Sequence, residues 1–167
     1  MTGEHRIRRP LTRSIIILLL VAALVLLALR LVAEPMRVSS DSMTPTYSAG
    51  DEVLVEKVSP GARDPERGAV VVFRRPHSDE LMIKRVVALG DQTVAIRDGV
   101  LTVDGQHPSE PYVGRIVAGS YFGPVRVPDG AVFVLGDRRL GSVDSRTFGA
   151  VPIDDVVGRV VLRIWPP

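Results

Sequence analysis

Cysteine is absent from the 167 residues, which excludes disulfide frameworks, thiolate metal sites and a cysteine nucleophile. Histidine is nearly absent too. His5, His77 and His107 lie far apart, which argues against a three-histidine metal centre and against a serine–histidine relay. No excess of one charge exists: 21 basic residues face 19 acidic ones, and a net charge of +2 is too balanced for a nucleic-acid footprint. The chain has no internal repeat and no low-complexity linker, and past residue 33 no amphipathic helix of normal length. Lysine is the scarcest charge. Nineteen of the 21 basic residues are arginine, so Lys57 and Lys84 each call for a reason.

What is present begins with a long apolar run. Ile15 to Leu29 is unbroken, and Leu31 to Ala33 continue it past Arg30. At 1.5 Å per residue, the stretch from 15 to 33 spans about 28 Å, close to a hydrocarbon core. Arg30 lies near the end, where its side chain can reach the headgroups. Arg6, Arg8, Arg9 and Arg13 precede the run against Glu4 alone, so the positive-inside rule puts this end in the cytoplasm. The expected organisation is a basic tail over 1–13, a transmembrane anchor over 14–33 and an extracytoplasmic domain over 34–167. A cleaved secretory signal shares the basic start and apolar core. Its small-residue cleavage pair is poorly placed here, because Ala28 lies inside the run and Leu31 stands two residues before Ala33.

Beyond Ala33, β-branched runs alternate with turn signals, the pattern of a mostly β domain. Strands are expected over Glu52–Val58, Ala69–Arg74, Leu81–Leu89, Thr93–Arg97, Val100–Val103, Ala131–Leu135 and Val156–Ile164. Asp98-Gly99 between two of them is a two-residue hairpin signal. The segment 98–127, with its Pro, Gly and Ser, is expected to form a small subsidiary lobe.

Three segments carry side chains suited to chemistry. Ser39-Ser40-Asp41-Ser42-Met43-Thr44-Pro45-Thr46 reads first as a polar loop leaving the membrane, yet it also sets hydroxyls just outside the lipid. Lys84 shares a strand face with Met82, Val86 and Ala88, while Ile83, Arg85 and Val87 point the other way. Burial disfavours the charged amine and lowers its pKa, whereas guanidinium stays protonated. Lys84 is thus a candidate general base, with a snorkelling surface lysine as the alternative. Lys57, among Glu52 and Glu56, has the surface reading. The third segment, Gly136-Asp137 through Ser142-Val143-Asp144-Ser145-Arg146, is either a solvated loop with a local ion pair or part of a site built on a β scaffold.

Taken together, these segments resemble the type I signal peptidases, membrane-anchored serine proteases that cleave signal peptides from exported proteins. The family's S-x-S-M-x-P-T appears as Ser40 to Thr46, its lysine strand as Met82 to Val87, and its S-x-D-S-R loop end as Ser142 to Arg146. Two features depart from the pattern. The loop usually reads G-D-N-R-D-N-S, and Arg138, Leu140 and Gly141 replace Asn, Asp and Asn. The turn after the lysine strand is shortened to Ala88-Leu89-Gly90-Asp91.

The resemblance implies an antiparallel β-sheet catalytic domain with a small cap lobe behind one transmembrane helix. It assigns Ser42 as nucleophile, Lys84 as general base and Ser40, with the Ser42 backbone N–H, to the oxyanion. Ser142 would orient the lysine, and Asp144 with Arg146 would brace the loop. Val38, Ser39, Met43, Met82 and Ile83 would wall pockets for small side chains in an A-x-A site. The implied partners are signal peptides and the lipid bilayer of the cell membrane, with no metal and no organic cofactor. Two other readings stay open: an anchored β domain that binds partners without catalysis, and a serine–lysine protease acting on another membrane-proximal substrate. The self-cleaving repressors share the serine–lysine pair but carry a DNA-binding module not found here.

Overall fold

The computed structural model describes residues 8–59, 61, 64–115 and 117–165. Helix α1 covers Arg8–Val32, and the remaining elements are almost all strands. Ten follow in order: β1 Ala33–Arg37, β2 Glu52–Glu56, β3 Val70–Arg74, β4 Leu81–Ala88, β5 Thr93–Arg97, β6 Val100–Val103, β7 Phe122–Arg126, β8 Ala131–Leu135, β9 Val151–Pro152 and β10 Val156–Trp165. A one-turn helix, α2 (Ser145–Phe148), precedes β9.

Seven strands form one sheet in the order β1-β2-β10-β3-β4-β8-β9, and every pairing in it is antiparallel. A second sheet has the order β6-β5-β7. Strand β3 shows why this sequence builds a buried sheet. Val70 and Val72 enter one apolar cluster with Val38, Met43 and Val53, while Val71 and Phe73 enter another with Val86 and Val134. A strand covered on both faces reads as a continuous apolar run, and VVVF is one. A third cluster, including Val87, Phe133 and Leu135 with Val94, Ile96 and Leu101, joins the small sheet to the large one. Asp98 and Gly99 both hold positive φ (51° and 80°), the backbone a two-residue hairpin turn demands.

The small sheet runs from Thr93 to Arg126, so its first strand precedes the segment 98–127 expected for the cap lobe. Of the expected tail and anchor, residues 1–7 lie outside the described residues, as do the side chains of 8–12 and 26–31. Among the described residues no helix is long and apolar enough to cross a membrane. The side chains of Ile15 to Leu20, on α1, are all more than half exposed. Strand β1 follows α1 directly and pairs with β2 from Ala33↔Glu56 to Arg37↔Glu52.

Candidate active site

Ser42 sits in a single 3-10 turn, Asp41–Met43, between β1 and β2. Two features hold that turn. Met43 is wholly buried and anchors it in the core, and the Asp41 carbonyl accepts from the Thr44 N–H at 3.1 Å and the Thr44 hydroxyl at 2.9 Å. The Ser42 carbonyl accepts from the Arg138 N–H at 3.0 Å, which ties the turn to the loop after β8. The Ser42 hydroxyl is thereby left half-buried at the edge of a cleft.

Lys84 reaches the same point from β4. Its Nζ lies 2.7 Å from Ser42 Oγ and donates to the Ile83 carbonyl at 3.0 Å. Only 2% of Lys84 is exposed. Burial pushes its pKa below the ordinary lysine value of 10.5, opposed by the negative charges of Asp144, Glu80 and Asp137. Desolvation wins because, among the described residues, the ammonium's hydrogen-bond partners are a hydroxyl and a carbonyl and no carboxylate pairs with it. A neutral amine within hydrogen-bond reach of a hydroxyl can take its proton and so activate a serine. Ser40 Oγ lies 3.2 Å from Ser42 Oγ. Lys57, by contrast, forms an exposed ion pair with Glu34.

The loop behind the pair is held by buried charges. Asp144 is fully buried, accepts from Arg146 Nε and Nη2 (both 2.8 Å), and also accepts from the Gly136 N–H at 3.1 Å. Arg146 Nη2 donates in addition to the Arg139 carbonyl at 2.8 Å. The Asp144–Arg146 pair is therefore part of the interior, not of a solvated loop. Ser142 Oγ is buried against Gly136, has no hydrogen-bond partner among the described residues, and is not bonded to Lys84.

Of the residues expected to wall pockets, Val38, Ser39, Met82 and Ile83 line a cavity of about 130 Å³ that ends at Ser40 and Lys84. Met43 does not reach it, because its side chain is in the core. The cavity lies between two unpaired edges. β1 is the first strand of its sheet, and the half of β4 from Leu81 to Lys84 pairs with β3 but not with β8.

Sequence reasoning missed the support beneath the loop. Asp137, 1% exposed, receives two bonds from Arg85 (Nε at 2.8 Å, Nη2 at 2.6 Å) and one from the Thr46 hydroxyl. The Tyr112 ring lies 3.8 Å from the Arg85 guanidinium, and burial pushes the Tyr112 pKa up to about 12. Glu110 forms an ion pair with Arg139. A charged side chain inside the apolar run of β4 was the available signal, since a buried guanidinium must find a carboxylate. Among the described residues no cluster of three or more His, Asp or Glu side chains could hold a metal ion.

The family described as signal peptidase, peptidase S26, matches residues 11–165. A probable signal peptidase I-1 of Synechocystis is 42% identical over 159 residues, covering 89% of this chain and 80% of that protein. Signal peptidase I of Mycobacterium tuberculosis is 34% identical, over 99% of this chain and 77% of its own length. The thylakoidal processing peptidase 1 of Arabidopsis thaliana chloroplasts is 42% identical, but the match spans only 43% of that longer protein. Among solved structures, a signal peptidase I from Enterococcus faecalis superposes with a TM-score of 0.52 at 32% identity, over 58% of this chain and 97% of the other. Matches of this extent place the chain in the signal peptidase family, peptidase S26, and make it a serine endopeptidase.

Proposed function

We propose that the protein removes N-terminal signal peptides from exported preproteins through a serine–lysine pair, with Ser42 as nucleophile and Lys84 as general base. The observation that carries this reading is the 2.7 Å approach of a buried amine to a half-buried serine hydroxyl. Neutral Lys84 takes the Ser42 proton as Oγ attacks the scissile carbonyl. The resulting ammonium then donates to the departing amine, and the neutral base next deprotonates the water that releases the acyl group. The Ser42 N–H and the Ser40 hydroxyl stabilise the oxyanion, a role whose loss typically costs about a hundredfold or more. Asp144 and Arg146 brace the loop behind the amine, and Ser142 packs against Gly136 within it.

Substrate lies extended between the free edges of β1 and β4, adding a strand, with alternate side chains entering the cavity below. A volume of about 130 Å³ shared by two such side chains suits alanine at the first and third positions before the cut. The apolar run of residues 15–33, read from the sequence, would anchor the domain in the cell membrane with its N-terminus cytoplasmic. Strand β1 leads from it straight to the serine turn, which keeps the cleft near the lipid surface where signal peptides emerge.

The test is processing of a preprotein with an A-x-A site by the detergent-solubilised chain. Ser42→Ala abolishes cleavage while the fold persists. Lys84→Arg keeps the charge but cannot supply a neutral base, so it is as damaging as Lys84→Ala. Near-full activity in Lys84→Arg would show that no neutral amine is involved.

A further inference from the structure

The cleft does not end at the serine and lysine. Arg138 and Leu140 line it beside Ser42, and the same two residues line an adjoining hollow of about 330 Å³. Across that hollow stand Pro45 and Arg115. The Arg138 N–H is bonded to the Ser42 carbonyl, so this side chain starts next to the reacting centre. Both Arg138 and Arg115 are exposed, and neither forms an ion pair among the described residues. Among the described residues the carboxylate on the hollow's wall is Asp137, already taken by Arg85 and Thr46, while Asp41 and Glu80 line the cleft but not the hollow.

Direction follows from the geometry. On the proposed reading, substrate residues before the cut fill the cavity between Met36–Ser40 and Leu81–Lys84, where Glu80 is paired with Arg75. On that reading a chain running on past Ser42 meets Arg138 and Leu140, which the cleft and the hollow share. Its first residues after the cut therefore meet two guanidiniums that have no internal partner. Arginine presents a planar fork of donors that fits a carboxylate bidentately.

We propose that Arg138, with Arg115, selects preproteins that carry an acidic side chain among the first three residues after the cut. This rests on the signal-peptidase reading and deepens it. Arg138 is also one of the positions where the loop departs from G-D-N-R-D-N-S, so the preference belongs to this chain's own loop.

The experiment uses matched peptides with one A-x-A site and Glu, Gln or Lys at the second position after it, cleaved by the full chain in detergent. Wild type favours Glu over Gln by about threefold in kcat/KM, the size of an exposed ion pair, and the gain lies in KM. The ratio falls to about one in the Arg138→Asn, Arg115→Asn double variant and in wild type at about 1 M salt, where screening acts within about 3 Å. Arg138→Glu turns the preference toward the Lys peptide. Equal cleavage of Glu and Gln peptides by wild type, or a ratio that survives the double variant, overturns the acidic selection alone. Failure of wild type to cleave any of the peptides would instead overturn the reading of cleavage at A-x-A sites beneath it.

Discussion

Replacing Gly136 by alanine separates the geometry of the loop from its chemistry. A Cβ there would stand 2.3 Å from Ser142 Oγ, 2.8 Å from Ser142 Cβ and 2.6 Å from the Ser42 carbonyl oxygen. Ordinary non-bonded contacts between carbon atoms are about 3.5–4.0 Å, so the loop or the serine turn must retreat by about 1 Å. Ser142 can rotate, but the Ser42 carbonyl is backbone, and Gly136 is itself held by its N–H bond to buried Asp144. Retreat therefore moves the nucleophile relative to Lys84. A displacement of about 1 Å at a reacting centre costs about a hundredfold in rate, while overpacking costs about 1–3 kcal/mol of stability. The expected result is a kcat about a hundredfold lower in a protein that still melts cooperatively. Adding Ser142→Gly removes two of the three clashes and recovers only part of the loss. Activity within threefold of wild type in Gly136→Ala would refute the idea that the loop sets the position of Ser42.

Two further outcomes follow from burial. Lys84→Met should be inactive yet more stable, because it removes an amine whose charged form the site disfavours, at about 1.36 kcal/mol per unit of pKa depression. Between the lowered folded pKa and 10.5, the unfolded chain binds more protons, so wild-type stability rises with pH across that window. The Tm advantage of Lys84→Met is therefore largest at or below the folded pKa and shrinks toward pH 10.5; an advantage that grows with pH would contradict this. Asp137→Ala leaves the Arg85 guanidinium buried without its carboxylate, a loss of about 3–5 kcal/mol. Thermal melting should show a Tm lower by about 10–20 °C, and a drop of only a degree or two would show that the pair is solvated.

Much of the sheet was legible because its central strands announce themselves. The expected strands at Thr93–Arg97, Val100–Val103 and Ala131–Leu135 coincide with β5, β6 and β8, and the others differ by a residue or two at their ends. β1, β7 and the two-residue β9 were missed, the first two for a shared physical reason. Pro35 and Gly123-Pro124 break the strand pattern, yet both strands lie at sheet edges, where a missing N–H costs no ladder bond. Helix α2 is a single turn that starts at the Asp144 cap, too short to leave a periodic pattern.

The site was legible where it rests on local sequence and opaque where it rests on long-range pairing. Ser42 and Lys84 stood out by motif and by the rarity of lysine, and the structure brings them together. The Arg85–Asp137 pair joins residues 52 positions apart, so Arg85 within an apolar strand signals a buried carboxylate but not which one. Met43 looked like a pocket wall because it follows the serine, but a 3-10 turn sends its side chain into the core. For Ser142, the structure gives contact with Gly136 in place of a bond to Lys84.

The chain has only two lysines, so an NMR titration of lysine labelled at the side chain gives two signals, and loss of one in Lys84→Arg identifies Lys84. The Lys84 amine is expected to lose its proton below 10.5, at the same midpoint as the acid limb of kcat/KM for preprotein cleavage. A Lys84 signal that stays protonated up to the ordinary lysine range while the enzyme is active at neutral pH would contradict it.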